Sequence, residues 1–293
     1  MGTSKYGGWF NAINVLFFIV VTFLVLYPIY QLLVISLNDP TDAMRGGLYW
    51  WPREFSLDSY RAVFSNDYTM NAFLVSALRT IAGAACSVLA TGMFAYGLTK
   101  RKLKLRRTYL LIAMFTMFFN GGLIPYFLLI QNIGLMDKFL VYIIPALINV
   151  WNMIIMKTFF ESLPEALEES ATIEGYNYLQ IFWKIVLPTS MPIVATIALF
   201  NGVAQWNAWF DAYLYIANQD LLPMQTILMR MISQNSAAQE VSKFAQHSAG
   251  AARITAESLK TTTMIVVMAP IVLVYPFLQR YFVKGVMIGA IKG

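Results

Sequence analysis

Six stretches of this chain are each long and apolar enough to cross a lipid bilayer, which constrains the fold more than any other sequence feature. They run from about Ile13 to Leu37, Met70 to Thr99, Tyr109 to Ile130, Phe139 to Phe160, Ile193 to Ala217 and Thr261 to Val283. A spanning helix needs about 20 mostly apolar residues. Inside hydrocarbon every backbone N–H and C=O must be paired within the protein, which leaves helices or closed barrels. Barrel strands alternate apolar and polar residues and contain no such runs. The sequence therefore predicts an all-α polytopic membrane protein with six transmembrane helices, forming a single domain over residues 1–293 of the plasma (inner) membrane. Composition agrees, with 58% hydrophobic and 12% charged residues and a mean hydropathy of +0.60; soluble domains carry about 25% charged residues. This balance excludes a disordered chain, a disulfide scaffold and an ordinary soluble enzyme. The first stretch is too long for a cleavable signal peptide, and no small-residue cleavage site precedes Asn38-Asp39-Pro40.

Basic residues set the expected orientation. The link Lys100-Arg101-Lys102-Leu103-Lys104-Leu105-Arg106-Arg107 carries six cations and no acid, which places it in the cytoplasm. With six spans both termini then lie inside, in line with Arg280, Lys284 and Lys292 near the end. The net charge of +6 follows from this bias before any acidic partner is invoked. Two loops are expected outside, residues 38–69 with Trp50-Trp51-Pro52 as an interface anchor, and residues 218–260. The second is polar, with Gln234, Asn235, Ser236, Gln239 and Gln246.

The cytoplasmic segment 161–190 reads as two short helices. Ser162-Leu163-Pro164-Glu165 has capping-box spacing, with Pro164 tolerated in the first turn. Glu165, Glu168 and Glu169 follow near the helix start, where acids are favoured. Gly175 can take the positive φ that ends a helix. Asn177-Tyr178-Leu179-Gln180 suggests a second cap, Leu179, Phe182, Trp183 and Val186 an apolar face, and Pro188 a stop. One fate for such a hairpin is to lie on the membrane surface. Surface helices are usually basic, however, because the inner leaflet is anionic, and five glutamates (Glu161, Glu165, Glu168, Glu169, Glu174) would be repelled. Docking into a basic groove of a cytoplasmic protein fits this charge better.

The spacing Glu169-Ser170-Ala171, Gly175, Ile185-Val186-Leu187-Pro188 resembles the EAA loop of ABC-importer permeases. Ser170 stands for the first alanine of that pattern, and Glu174 for the aspartate usual in sugar importers. Leu163-Pro164, Gln180-Ile181-Phe182-Trp183 and the tail Lys284 to Gly293 resemble carbohydrate permeases in the same way, so that the likeness covers residue 13 to the end. The resemblance implies the type I importer permease fold and no enzymatic activity in this chain. It implies as partners a second homologous permease, two ATPase subunits that carry the ATP and Mg, and an extracytoplasmic solute-binding protein delivering an oligosaccharide; no nucleic acid is implied. Carried over residue by residue, Glu165, Glu168, Glu169, Ser170, Ala171, Gly175, Ile185, Leu187 and Pro188 form the coupling loop. Glu169 pairs with a basic residue of the ATPase, Gly175 allows the bend, and Gly285–Gly293 lies along the ATPase. The outer loop 218–260 includes a segment that probes the binding protein. Permeases for uronate-containing sugars are among the similar proteins.

Gly92-Met93-Phe94-Ala95-Tyr96-Gly97-Leu98-Thr99 has P-loop glycine spacing but no lysine before the hydroxyl residue and lies in an apolar span, so no nucleotide site is expected in this chain. Arg79 is a cation well inside a span; it must face a cavity or a partner, or else snorkel to the interface. Gln205, Trp206, Asn207 and Trp209 mix amides and indoles at membrane depth. They suit either a sugar path or inter-helix hydrogen bonding, and the path is expected to include them with Arg79. Asn120-Gly121-Gly122 and Pro125 predict a kink in the third span. Cys86 is expected to be buried, and the lone His247 gives no metal site. A stand-alone secondary transporter or channel is the alternative; it would need ion-coupling residues in the spans and no acidic dock.

Overall fold

The computed structural model describes residues 7–233, 242 and 255–290. Fourteen helices are named in chain order, and no strand occurs among the described residues. The described residues fall into two compact units, those within 1–70 and 230–269, and those within 71–229 and 270–293. Outside the description lie His247, Gln234, Asn235, Ser236, Gln239 and Gln246 of the outer loop, residues 291–293, and the tail side chains from 277 onward.

In the first unit α1 (Gly7–Ser36) is apolar on every face and contains Pro28; its most apolar stretch is left unburied by the rest of the chain. The segment that follows holds α2 (Pro40–Ala43) and α3 (Asp58–Ser65). Asp39 caps α2, and an isolated antiparallel bridge joins Asn38 to Phe55. Val34, Ala43 and Leu48 form a small core there. Trp50 packs against Phe23 and Tyr27, at 6.2 and 5.3 Å between ring centroids, consistent with an aromatic residue anchored beside a span.

The remaining helices are α4 (Asp67–Thr99), α5 (Arg106–Phe118), α6 (Leu123–Asn132), α7 (Val150–Glu161), α8 (Glu165–Ile173), α9 (Tyr178–Ile181), α10 (Leu187–Thr189), α11 (Met191–Asn207), α12 (Phe210–Tyr215), α13 (Met224–Ile232) and α14 (Ala256–Ala290). Three helices, α1, α4 and the part Ala256–Pro276 of α14, are long and apolar enough to cross a membrane. Three bent pairs raise the number of candidate spans to six if each pair counts as one.

Three of the six expected spans are broken, the third and fourth at two of these bent pairs; the last pair, Tyr178–Thr189 with Met191–Asn207, bends just before the fifth. The third divides into α5 and α6 with a 117° bend at the Gly-rich interruption, where Gly122 has φ +86°. The fourth begins as two short 3₁₀ turns (Phe139–Tyr142 and Ile144–Ala146) before α7, capped by Asn149. The fifth stops at Asn207 and resumes as α12.

The second unit has its core between α4, α7, α11 and the segment 176–187, built on Val88, Ala95, Met153, Met156, Phe182 and Ile197. Gly92 belongs to this packing: a Cβ there would lie 3.0 Å from Met156 Cε and 3.5 Å from Phe182 Cζ. Its place is a close helix contact. Cys86 is exposed, contrary to the burial expected from its neighbours in sequence. It lies on a face of α4 that this chain leaves uncovered, and an apolar run cannot tell burial within the chain from contact with lipid.

Candidate functional site

The acidic segment forms the two-helix element expected, with different local details. Ser162 does not cap α8. Its backbone is still helical (φ −86°, ψ −9°) and closes α7, its Oγ donating to Phe159 O at 2.7 Å; a cap needs an extended residue there. Pro164 takes the N-cap position with no side-chain bond. At the other end Gly175 has φ +86°, and a Cβ there would meet nothing within 4 Å. Backbone conformation therefore calls for glycine, as Tyr176 N bonds Ala171 O at 3.0 Å to close the helix. Asn177 and Gln180 form a full capping box, both bonds at 2.9 Å.

The second helix is not regular. α9 passes through a π turn over Phe182–Val186 into α10, with Pro188 inside the helical run instead of ending it. The wider turn rotates the side chains out of the 3.6-residue period. Ile181, Phe182 and Val186 are buried, while Leu179 and Trp183 of the expected apolar face are exposed.

The acids of this element find cations in the link between α4 and α5. Lys100 pairs with Glu168, Arg101 with Glu165 at 2.8 Å and Arg106 with Glu161. Glu161 also takes Lys157 at 2.8 Å. Lys100 Nζ lies 3.8 Å over the Tyr96 ring, and burial pushes its ammonium pKa below the ordinary lysine value despite the Glu168 contact. Lys100, Arg101, Arg106, Glu161, Glu165 and Glu168 line a cleft of about 810 Å³ with Phe160 and Val186. Charges can pair only on one side of a membrane, so the basic link and the acidic element share a side. Glu168 is half-buried against Lys100, whereas the Glu165–Arg101 pair is exposed. Glu169 and Ser170 are exposed, Ala171 is buried beneath them, Ile185 and Leu187 are half-buried and Pro188 is exposed. Glu169 and Glu174 have no ion pair among the described residues. With Ile173, Leu179 and Trp183, all exposed, they leave the element an uncovered surface that is both acidic and apolar, Glu169 and Ile173 lying at the cleft.

The expected path residues do not share one environment. Arg79 is 1% exposed. It donates to Gln205 Oε1 from Nε and Nη2 (3.3 and 3.1 Å), to Ala208 O from Nη1 (3.2 Å), and to Asp211 from Nη1 and Nη2 (3.3 and 2.6 Å). Its Cζ lies 4.1 Å over the Tyr142 ring. Gln205 is buried and donates to Tyr142 O at 3.0 Å, and Trp206 packs edge-on against Phe73. Arg79 thus faces protein partners and does not snorkel, and Arg79, Gln205 and Trp206 are enclosed within the chain's own packing. Asn207 is exposed and Trp209 half-buried, so this chain does not cover these two as it covers the other three.

Residues 87–288 match the family model described as the binding-protein-dependent transport system inner membrane component. The chain belongs to this family. The matched region contains the whole acidic element and its basic partners. A polygalacturonan/rhamnogalacturonan transport system permease protein of Bacillus subtilis (strain 168) is 41% identical over 83% of this chain and 84% of its own. Protein LplC of the same strain is 35% identical over 100% of this chain and 98% of its own. Among solved structures, a bacterial ABC transporter involved in the import of the acidic polysaccharide alginate has a chain that superposes with a TM-score of 0.86 at 26% identity. That match covers 96% of this chain and 99% of the other. The type I importer permease fold is thereby that of this chain.

Sequence reasoning had not joined Lys100, Arg101 and Arg106 to the glutamates. The signal was present as two opposite charge runs assigned to the same side of the bilayer.

Proposed function

We propose that the chain is the permease subunit of an ATP-driven importer for uronate-containing oligosaccharides, and that the element 161–190 receives the force of a separate ATPase subunit. The observation that carries this is the division of charge on α8: Glu165 and Glu168 are paired within the chain, while Glu169 is exposed with no ion pair among the described residues, on an element that also exposes Ile173, Leu179 and Trp183. An exposed acidic and apolar ridge fits a basic cleft on a partner. Movement of α8 would pull α4 and α5 through the Lys100, Arg101 and Arg106 pairs. It would pull α11 through α9 and α10, which reach α11 with Ser190 alone between them and an 87° bend. Such an element can rock helices as rigid bodies between inward-open and outward-open states.

In this reading the element and both termini are cytoplasmic, and residues 38–69 and 218–260 face outward. ATP and Mg sit on two ATPase subunits, this chain binding no cofactor. A second, homologous permease and the bilayer cover the apolar surface of α1, and an extracytoplasmic binding protein delivers the sugar. Asn207 and Trp209 line the path, indole faces suiting sugar rings and amides suiting hydroxyls. The uronate assignment draws on the relatives named for polygalacturonan and alginate.

The test is ATP hydrolysis by the assembled complex with its binding protein. Oligogalacturonate or alginate oligomers are expected to stimulate it, and neutral maltooligosaccharides are not. Stimulation by the neutral sugars alone would overturn the uronate assignment.

A further inference from the structure

We propose that Arg79 is a positioning residue: its guanidinium staples the break between α11 and α12 in the geometry that turns Asn207 and Trp209 to the sugar path, and it is not a ligand for the sugar's carboxylates. The proposal rests on the path reading above.

The break is the reason such a staple is needed. α11 ends at Asn207, and Ala208 is extended (φ −71°, ψ 129°), so the helix leaves carbonyls without intrahelical donors at membrane depth. Arg79 reaches across from α4 and satisfies Ala208 O. Its other bonds go to Gln205, about one turn before the break, and to Asp211, just after it. One planar group therefore fixes both sides of the interruption. Guanidinium has five N–H donors in a rigid fork, and the five contacts use every one. Its charge is paired with Asp211 and one face is covered by Tyr142, which leaves nothing to offer a uronate. The fit is built in from α4 as well. A Cβ on Gly83 would lie 2.8 Å from Gln205 Cδ and Nε2, so glycine at that position is what lets Gln205 reach Arg79.

Lysine separates the two roles, because it keeps the charge and loses the fork. The assembled importer in proteoliposomes, carrying Cys86→Ser and Asn207→Cys, is treated with a water-soluble methanethiosulfonate, and the labelling rate is compared between Arg79, Arg79→Lys, Arg79→Gln and Asp211→Asn backgrounds. Labelling is expected in the Arg79 background, slower by about 5-fold or more in both Arg79 variants, with Asp211→Asn between them. Arg79→Lys labelling within about 2-fold of the Arg79 background, with full oligogalacturonate stimulation of ATP hydrolysis, would make Arg79 a charge for the substrate and overturn the proposal. Absence of labelling in the Arg79 background overturns it too, since Asn207 would not face water. Should the Arg79 variants fail to assemble, Asp211→Asn, nearly unchanged in shape, decides: an unaltered rate overturns the staple. Oligogalacturonate-loaded binding protein is expected to slow labelling in the Arg79 background. If it does not, the path reading fails, while the rate ratios between backgrounds still judge the staple.

Discussion

Gly83 and Gln205 show how one hydrogen atom in place of a methyl group decides a buried polar contact. The 2.8 Å approach of a Cβ to the Gln205 amide carbon and nitrogen means that Gly83→Ala must displace an amide holding Arg79 and Tyr142 O. Overpacking of this kind costs about 1–3 kcal/mol, and the purified complex should lose thermal stability in differential scanning fluorimetry. Adding Gln205→Ala removes the clash but also the hydrogen bonds, so the double variant is expected to be less unstable than the two single losses added together. Strict additivity would mean that the two residues do not meet. A second residue-scale prediction concerns Asp42. Asn38 Nδ2 and Arg53 Nε both donate to its Oδ2 at 2.9 Å, and these bonds hold its carboxyl pKa below the ordinary value of 3.8. The folded state therefore binds this proton less readily than the unfolded chain. The stabilisation is complete above the unfolded pKa and is lost as pH falls through the lower, folded one. Asp42→Asn should lower the melting temperature at neutral pH, and the difference from the unmodified protein should shrink under acid below about pH 4.

The acidic helix and the basic link belong together as elements, and their pairing predicts coupling behaviour. In Lys100→Glu the reversed charge faces Glu168 across a half-buried contact. We expect ATP hydrolysis that continues while oligosaccharide transport falls by about 10-fold or more, and recovery in the Lys100→Glu, Glu168→Lys double variant. Equal loss in the single and double variants would mean that the pair transmits nothing. The sequence made part of this element legible for physical reasons. Gly175 and the Asn177–Gln180 box are short-range features, fixed by φ and by side-chain bonds spanning three residues, and both stand where the spacing put them. The π turn at Phe182–Val186 was not legible, because a 3.6-residue template assigns Leu179 and Trp183 to the inner face, and the turn places them outside. The spans behave likewise. Apolar length located all six regions, but breaks such as that at Ala208 depend on Arg79, 129 residues away in sequence, and no local pattern carries such a contact. Arg79 itself was recognisable as a residue in need of a partner, whereas Asp211 and Gln205 could be identified as that partner only in three dimensions.

At the scale of the whole molecule, the chain leaves two surfaces of different character uncovered. Nearly every side chain from Trp9 to Leu26 along α1 is exposed and apolar, and a contiguous surface of that size needs lipid or protein against it. In the acidic element, three of the five glutamates are matched within the chain, which leaves Glu169 and Glu174 without an ion pair among the described residues, on an element that also exposes Ile173, Leu179 and Trp183. The two surfaces differ in kind: the first is uniformly apolar, as a bilayer-level contact requires, and the second mixes charge with aromatic area, as in a contact with a water-soluble protein. Losing one should therefore spare the other. Glu169→Lys is expected to leave the chain in the membrane and still joined to its second permease. Its co-purification with the ATPase should fall by about 10-fold or more, the loss given by opposing a charge across a docked interface. Glu174→Lys, beyond the helix end, should cost less. Co-purification of both proteins with this chain, measured against the unmodified complex after detergent extraction, checks the separation. If Glu169→Lys keeps its ATPase and transports normally, the ridge is not where the force enters. If it loses the second permease as well, the two surfaces are not independent.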